Sequence, residues 1–483
     1  MSFIRKKTMK SGITYAYQVT QMWDREKKQP RQISIYLGVV GADGLIKPKG
    51  TVPRGRPKQT HPRVVVKEKL IVDFGDGFLA SESIKRSAIY EPLSECWQHY
   101  PGLLALMTYR LCCPGPMYNC EAWLAGNIVG LDTSTTQLSS QAISRLLVKL
   151  GDEALQRRFF KRYLQMGSSA TRNVIIDATS LPNQSHTDFN AWGYSEGAIE
   201  QQFRFHCVVD QDTQKPLFYR YVAGNINDVS TLKATIEELN ALGVSHHFAL
   251  LDAGYCSAEN LAQLRKHHID FLTRLPAGRR LYKTLIVEHA PSMEVYPHLI
   301  VYGQRTLFVK RVALDGVYGD KGYVYLILDP DKKNKTIQAL GLKHALNRAK
   351  TPPKHDKITY QLAAAGIVML MSSKPIPTHD IMQAYYTRQS IEQIFGFSKS
   401  ELEILPIRHH SEATIRGYLF LQFLLLIVFI ELREKLKGTL TVEQAFLLLK
   451  TLKCKIYDDK RILQELTKKQ KQVFQLCSIL VPN

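Results

Sequence analysis

Alternating apolar and polar positions open the chain. Residues 13–19 and 33–37 follow this period of two on either side of a polar loop at 24–30. Because residues two apart on a strand share one face, the pattern predicts a small β-hairpin unit. Proline, glycine and basic residues then crowd positions 47–63, which predicts a linker.

A helical period replaces the alternation from about residue 80 to residue 166. Its clearest segment runs from Ser139 to Leu150, where the serine can cap a helix and Gly151 can end it. This helix could be a recognition helix for DNA, but its amphipathic pattern favours ordinary packing.

Strands predominate after residue 170 and then alternate with helices. Three strands followed by such alternation predict an α/β fold, in which a mixed sheet carries helices on both faces. The predicted strands are 173–177, 203–209, 217–222, 247–252 and 270–275, and the predicted helices are 229–242 and 258–267.

Residues 277–372 are strand-rich and punctuated by glycine and proline, and from residue 379 the pattern is helical almost to the end. The most apolar run, 418–430, is shorter than the roughly 20 residues of a membrane span and contains Gln422. It therefore predicts a buried core helix.

The net charge of the chain indicates which class of binding partner to expect. The formal net charge is +21, and residues 1–70 alone carry 16 Lys and Arg against 4 Asp and Glu. Such an excess costs self-repulsion unless the partner is a polyanion, of which nucleic acid is the commonest. An anionic membrane is the alternative, but no basic amphipathic helix or lipid signal stands out.

Cysteine spacing and the N-terminus add two expectations. The eight cysteines show no CxxC pairs, so they predict no zinc site and fit a reducing cytoplasm. The first residues lack the apolar segment of a secretory signal.

Two apolar strands end in a carboxylate, at Asp177 and, 75 residues later, at Asp252. Each aspartate alone is as well explained as a residue that starts a turn. If the two strands are neighbours, however, the carboxylates meet at one sheet edge and need a cation between them. Oxygen ligands of this kind suit Mg²⁺ or Mn²⁺.

Residues 385–399 add a third acid in the pattern Y-x-x-R-x-x-x-E-x-x-x-x-x-x-K. On one continuous helix, Arg388, Glu392 and Lys399 lie within about 60° of Tyr385. This stripe could hold a phosphate backbone beside a metal ligand. The alternative is a surface helix stabilised by an ion pair between Arg388 and Glu392.

Together these segments resemble the DDE transposases of bacterial insertion sequences, in the branch with the Y-R-E-K signature. The signature matches at all four positions. The blocks Asp177-Ala-Thr179, Gly224-Asn-Ile-Asn-Asp228 and Asp252-Ala-Gly-Tyr255 also resemble that family, and the match covers about residues 170–430.

The resemblance implies a ribonuclease H-like fold with Asp177, Asp252 and Glu392 as catalytic residues and metal ligands. They would hold two Mg²⁺ or Mn²⁺ ions, while Tyr385, Arg388 and Lys399 would contact DNA. A water activated by the metal would cleave the strand at the element's end, and the freed 3′-hydroxyl would attack target DNA. The partners would be double-stranded DNA and a second copy of the chain, which pairs the two ends.

One feature departs from the family. Some members of the branch use a tryptophan in the insertion to hold a flipped base, but residues 277–372 contain no tryptophan. Five of the tyrosines in this segment could take its place, namely Tyr296, Tyr302, Tyr318, Tyr323 and Tyr325. A hairpin intermediate is therefore not predicted.

Outside the resemblance, residues 53–58 read Pro-Arg-Gly-Arg-Pro-Lys, which looks like an AT-hook. Glycine lets such a segment lie in a narrow minor groove, where Arg54 and Arg56 would reach its floor. A basic linker has the same composition.

The predicted organisation has six parts. They are a basic β unit with linker (1–70), a helical DNA-binding region (71–168), the first part of the catalytic core (169–276), a β-rich insertion (277–372), the second part of the core (373–440) and a helical tail (441–483). Two other functions stay open, namely a regulator that binds DNA without catalysis and a metal-dependent nuclease without strand transfer.

Overall fold

The computed structural model describes residues 2–24, 26–48, 70–100, 102–132, 138–166, 171–195, 197–226, 228–316, 321–347, 355–457 and 460–482. The chain divides into two compact units, Met1–Glu68 and Lys69–Asn483. The candidate catalytic residues all belong to the second unit.

The first unit is a four-stranded antiparallel sheet rather than a single hairpin. Its strands, in spatial order, are β1 (Ser2–Thr8), β2 (Thr14–Asp24), β3 (Gln29–Val40) and β4 (Ile46–Pro48). The hairpin predicted from the alternation is β2 and β3. The sequence does not predict β1, because its run of basic residues hides the alternation.

Helices fill the next region, as the helical period predicts. In the part that the structure describes they are α1 (Gly75–Lys85), α2 (Ser94–His99), α3 (Gly102–Cys112), α4 (Cys120–Ala125), α5 (Ile128–Asp132), α6 (Ser140–Leu150) and α7 (Glu153–Gln165). The Ser139 hydroxyl accepts a hydrogen bond from the amide of Ala142 at 3.4 Å, and α6 ends at Gly151, both as predicted.

A ten-stranded mixed sheet forms the centre of the second unit. Its strands are β6 (Thr171–Pro182), β7 (Ala191–Ser195), β8 (Ala198–Asp210), β9 (Pro216–Ala223), β10 (Ser245–Leu251), β11 (Asp270–Arg274), β12 (Leu299–Tyr302), β13 (Arg305–Leu314), β14 (Gly322–Leu328) and β15 (Ile367–Ser372). The spatial order is β12-β13-β14-β15-β11-β10-β6-β8-β7, and β9 pairs with β8.

The middle of this sheet combines both strand directions. β10 lies between β6 and β11 and is parallel to both, whereas β8 pairs antiparallel with β6 and with β9. The helices α8 (Asp228–Ala241) and α9 (Ala258–Lys266) alternate with these strands. The prediction of an α/β fold with a mixed sheet is therefore confirmed.

The segment 277–372, which the sequence analysis predicted to be a β-rich insertion, contains helices as well as strands. Its strands extend the central sheet, because β15 pairs antiparallel with both β14 and β11. It also contains the helices α10 (Arg280–His289), α11 (Pro330–Asn347) and α12 (His355–Ala363). At the start of α11 the Asp329 carboxylate accepts a hydrogen bond from the Lys332 amide at 3.1 Å.

The last part of the chain is not wholly helical. It contains α13 (Ile381–Tyr386), α14 (Gln389–Ser400), α15 (Glu412–Leu436), α16 (Val442–Lys450), the strands β16 (Lys453–Tyr457) and β17 (Lys460–Leu463), and α17 (Lys468–Leu476). β16 pairs with β17 and with β5 (Leu70–Asp73) in a three-stranded sheet. The prediction of a helical tail was wrong here, since β16 gains its second partner from a strand far away in sequence.

The long helix α15 is the core helix that the sequence predicts. Among the described residues it is the helix long and apolar enough to cross a membrane, but 83% of its apolar window is buried inside the protein. It packs against α6, α3 and β9, so it joins the helical region to the central sheet. This packing also shows that α6 is a packed amphipathic helix.

Candidate active site

Asp177 lies on β6 at the point where the parallel pairing with β10 stops. The register pairs Leu251 of β10 with Ile176, while β6 continues to Pro182 against β8. The strand therefore does not end at Asp177, as the sequence analysis expected, because an antiparallel partner extends it. One carboxylate oxygen of Asp177 accepts a hydrogen bond from the Ala178 amide at 2.8 Å.

Asp252 immediately follows β10 and comes next to Asp177 at the same edge. Thr273 on β11 donates a hydrogen bond from its hydroxyl to the Asp252 carbonyl at 3.1 Å. A single turn of 3₁₀ helix, Ala253–Tyr255, begins directly after the aspartate. Two neighbouring parallel strands thus bring the two aspartates together, as predicted.

A buried hydrogen bond holds that turn to β8. The Tyr255 hydroxyl lies 2.8 Å from Nδ1 of His206, and both side chains are buried. Burial, assisted by Arg204 and Arg220, lowers the pKa of His206 to about 3. The imidazole is therefore neutral at pH 7, and the pair links the backbone after Asp252 to the antiparallel half of the sheet.

The Y-R-E-K segment is not one uninterrupted helix. Tyr385 is on α13, Glu392 and Lys399 are on α14, and Arg388 is the N-cap residue of α14. At the interruption, the Thr387 hydroxyl donates to the Ala384 carbonyl at 2.6 Å and accepts a hydrogen bond from Gln211, in the turn after β8, at 3.3 Å. The expectation of an unbroken helix was therefore wrong, but Tyr385 and Glu392 still lie on the same side as Arg388, whose guanidinium is 5.9 Å from the Tyr385 ring and 2.7 Å from the glutamate.

Arg388 contacts all three acids. Its Nη1 lies 2.7 Å from Oδ2 of Asp177 and 3.4 Å from Oδ1 of Asp252. Its Nη2 lies 2.7 Å from Oε1 of Glu392. Two aspartates and a glutamate that are far apart along the chain therefore meet on one guanidinium.

Exposure differs among these side chains. Asp177 is 11% exposed and Arg388 is 17% exposed, whereas Asp252 is 39% and Glu392 is 53% exposed. Burial alone would lower the pKa of Arg388, but the acids, Asp177 foremost, outweigh it and raise that pKa. The cluster is thus an ion-pair network whose glutamate side is open to solvent.

Arg388 lies between the acids, where the sequence analysis expected a divalent metal ion. Among the described residues no group of three His, Cys, Asp or Glu is arranged to hold a metal ion. The donor set nonetheless fits a hard divalent ion, because three carboxylates converge and each contributes oxygen. These residues could hold Mg²⁺ or Mn²⁺ once Arg388 releases them.

Tyr385 lies beside this cluster and Lys399 does not. The Arg388 guanidinium is 5.9 Å from the centre of the Tyr385 ring, and burial raises the pKa of that tyrosine. Lys399, near the end of α14, makes no ion pair within the described parts of the chain. The structure thus brings together Asp177, Asp252, Glu392, Arg388 and Tyr385, and leaves Lys399 apart.

Only some of the insertion's tyrosines lie near the site. Tyr302 stacks on Tyr386, the neighbour of Tyr385, with ring centres 5.4 Å apart. Tyr325 is buried and donates its hydroxyl to the Ile376 carbonyl, which is a core role. Tyr318, Arg54 and Arg56 lie outside the described residues.

Sequence reasoning missed how the acids are held. It assigned Arg388 to DNA and gave no role to Gln211 or His206, which reach the site from β8 and the turn after it. The Asp252-Ala-Gly-Tyr255 block was the available signal for the tyrosine. Nothing in the sequence indicated its histidine partner.

This geometry defines an α/β protein with a three-carboxylate site on a mixed sheet. The family model for the transposase DDE domain matches residues 168–428, which include all three acids. The chain therefore belongs to the family of transposase DDE domains.

Comparison with curated proteins gives no match. Among solved structures the chain is similar to the piggyBac transposase, whose cryo-EM structure is a synaptic complex with hairpin DNA. The identity is 10%, the TM-score is 0.39, and the alignment covers 77% of this chain and 68% of that chain.

Proposed function

We propose that this protein is an insertion-sequence transposase of the Y-R-E-K branch, with a ribonuclease H-like core. It cleaves DNA at the ends of the element and joins the ends to target DNA. The observation that carries the proposal is the convergence of Asp177, Asp252 and Glu392 on one cation within the matched domain.

The three acids would hold two Mg²⁺ or Mn²⁺ ions. Such ions, when bound, lower the pKa of water and stabilise the charge that develops on the entering and leaving oxygens. Asp177 is fixed by the Ala178 amide, and Asp252 is fixed through the carbonyl that Thr273 contacts. Glu392 is more exposed and comes from a separate helix, so its position depends on how α14 meets the sheet.

Each chemical step exchanges one phosphate ester bond. In cleavage, a water oxygen bonds to phosphorus and the 3′-oxygen leaves with a proton. In joining, that 3′-hydroxyl attacks a target phosphodiester and displaces another 3′-oxygen. No covalent bond to the protein is needed, so no serine or tyrosine acts as a nucleophile.

The same proposal assigns the cations around the site. Arg388 would exchange its contacts with the acids for DNA phosphate, and Tyr385 and Lys399 would line the path of the strand. The proposal also assigns DNA binding to residues 1–70, including Arg54 and Arg56, and to the helical region 71–168. It assigns the catalytic core to residues 169–276 and 373–440. A homodimer would pair the two ends.

Alanine substitutions of the three acids test the catalytic assignment. Asp177→Ala, Asp252→Ala and Glu392→Ala should each abolish cleavage of duplexes that carry the element's ends, with DNA binding retained. The control is Glu237→Ala, which removes an exposed acid from α8 that is outside the cluster. Cleavage by Glu392→Ala at the wild-type rate would refute the assignment.

The assay also separates the alternatives. A supercoiled target plasmid should receive the cleaved ends in the presence of Mg²⁺ or Mn²⁺. Cleavage without any joined product would identify a nuclease. Binding with neither reaction would identify a regulator.

A further inference from the structure

The sheet of the first unit places all its aromatic side chains on one face. Directly paired residues of antiparallel strands share a face, and residues two apart on one strand do so too. The register pairs Phe3 with Val19 and Tyr17 with Tyr36. We call this side the aromatic face, and its rings are Phe3, Tyr15, Tyr17, Trp23 and Tyr36.

These rings are accessible in the part of the unit that the structure describes. Phe3 is 45% exposed and Trp23 is 63% exposed. Tyr15 and Tyr17 are half-buried on either side of Tyr36, with ring centres 6.0 and 5.5 Å from it. The described residues of this unit form strands and turns, so no helix among them covers the aromatic face.

Basic side chains stand directly beside the rings. The register places Arg5 opposite Tyr17 and Lys7 opposite Tyr15, and the Arg5 guanidinium is 5.7 Å from the centre of the Phe3 ring. Residues 1–48 contain nine Lys and Arg against three Asp and Glu. A polyanion with flat apolar groups complements such a surface better than a protein or a small acid does.

We propose that the aromatic face binds a DNA strand with unpaired bases. Exposed rings can stack on unpaired bases, whereas the bases of an intact duplex stack on each other. Arg5 and Lys7, beside three of the rings, can hold the strand's phosphates. The choice of DNA rests on the proposed transposase function. Strand cleavage at the element's ends would supply unpaired strands of this kind.

Neighbouring lysines provide a matched pair of variants. Lys7 is on the aromatic face, whereas Lys6, opposite Ala16, is on the other face. Lys7→Gln should weaken binding of a labelled dT20 strand by the full-length protein and reduce the slope of log affinity against log salt by about 0.7. Lys6→Gln should leave both quantities nearly unchanged, and equal effects of the two variants would overturn the proposal.

Ring substitutions test stacking itself. Tyr17→Leu should weaken dT20 binding roughly tenfold, because one base no longer has a ring to stack on, while Tyr17→Phe should keep wild-type affinity. Thermal melts confirm that each variant is folded. Unchanged affinity of Tyr17→Leu would overturn the proposal, as would an equal dependence on Tyr17 for a blunt duplex.

Two more measurements distinguish DNA binding from membrane binding, and the aromatic face from the catalytic site. Binding to phosphatidylglycerol vesicles that needs Tyr17, without dT20 binding, would show a membrane surface and refute the proposal. All binding is measured in EDTA, and cleavage of the element's ends is measured separately with Mg²⁺. A protein that cleaves no DNA but binds dT20 through Tyr17 would refute the proposed function and support DNA binding by the aromatic face. A protein that cleaves the element's ends but binds dT20 independently of Tyr17 would refute only the role of the aromatic face.

Discussion

Arg388 has a different immediate role from the one its motif suggested. A cation in a Y-R-E-K pattern was expected to face DNA phosphates, but its guanidinium contacts all three acids. It neutralises carboxylates that would otherwise repel one another. A divalent ion at the proposed site would therefore compete with Arg388 for the same oxygens.

Removal of Arg388 should change how the protein responds to metal. In EDTA, Arg388→Ala should melt about 1 °C lower or more, since roughly 1 kcal/mol of ion pairing is removed from a large unit. Mg²⁺ or Mn²⁺ should then raise its melting temperature more than it raises that of the wild type. The measurement is a thermal melt across a metal titration, with end binding recorded in parallel.

Lys399→Ala is the control, because it removes one positive charge from the same segment without touching the acids. Its metal response should equal that of the wild type. Arg388→Lys should fall between the two, because an ammonium cannot make the forked contacts. A metal response of Arg388→Ala identical to that of the wild type would show that the arginine does not compete for the site.

The helices show how close packing positions the site. α15 crosses α6 with their backbones almost touching, and an added Cβ on Gly417 would lie 1.8 Å from the Leu147 carbonyl oxygen. Gly151 has the same constraint against the Ala413 carbonyl oxygen. Glycines therefore permit the close approach that joins the helical region to the catalytic core.

Gly417→Ala should lower the free energy of unfolding by about 1–3 kcal/mol, because the new methyl group meets backbone that must move. Gly341→Ala provides the matched control, since nothing lies within 4 Å of its Cβ position on α11. That change should be neutral or stabilise by about 0.5–1 kcal/mol through helix propensity. Chemical denaturation of both variants measures the difference, and equal stabilities would contradict the packing account.

The interruption between α13 and α14 at Thr387 also affects how the site's side chains are placed. Sequence spacing placed Tyr385, Arg388 and Lys399 on one stripe, and this assumed an unbroken helix. A hydrogen bond from Gln211, 176 residues away, helps to hold the interruption. Periodicity cannot predict such a break, because the partner that stabilises it is remote in sequence.

At the scale of the whole molecule, charge is unevenly distributed. Residues 1–70 carry 16 Lys and Arg against 4 Asp and Glu, which is more than half of the net +21. Because Met1–Glu68 is a separate compact unit, we expect the second unit to keep its fold when the first is removed. The charge excess can therefore be tested by truncation.

Deletion of residues 1–68 should weaken binding to any duplex and flatten its salt dependence, since fewer counterions are released. The slope of log affinity against log salt should fall by about 0.9 for each phosphate that the shortened protein no longer neutralises. Arg54→Ala with Arg56→Ala should instead reduce mainly the preference for A·T-rich DNA. An unchanged slope after the deletion would place the DNA-binding residues in the rest of the chain.

Local patterns in the sequence determined most of the individual elements. Alternation indicated β2 and β3, apolar runs indicated β6 and β10, and the run at 418–430 indicated the buried helix α15. The identities and order of Asp177, Asp252 and Glu392, taken with the family resemblance, also predicted that these three acids come together. These features depend on side-chain period and residue type, which a single chain displays directly.

Only the tertiary structure decided which distant segments and side chains contact one another. It joined the insertion's strands to the central sheet, paired β5 with β16, and placed Arg388 on the acids rather than toward solvent. It also gathered the aromatic rings of the first unit on one face through the register of three strands. Each of these depends on contacts between segments distant in sequence, and no local pattern encodes which distant segment supplies the contact.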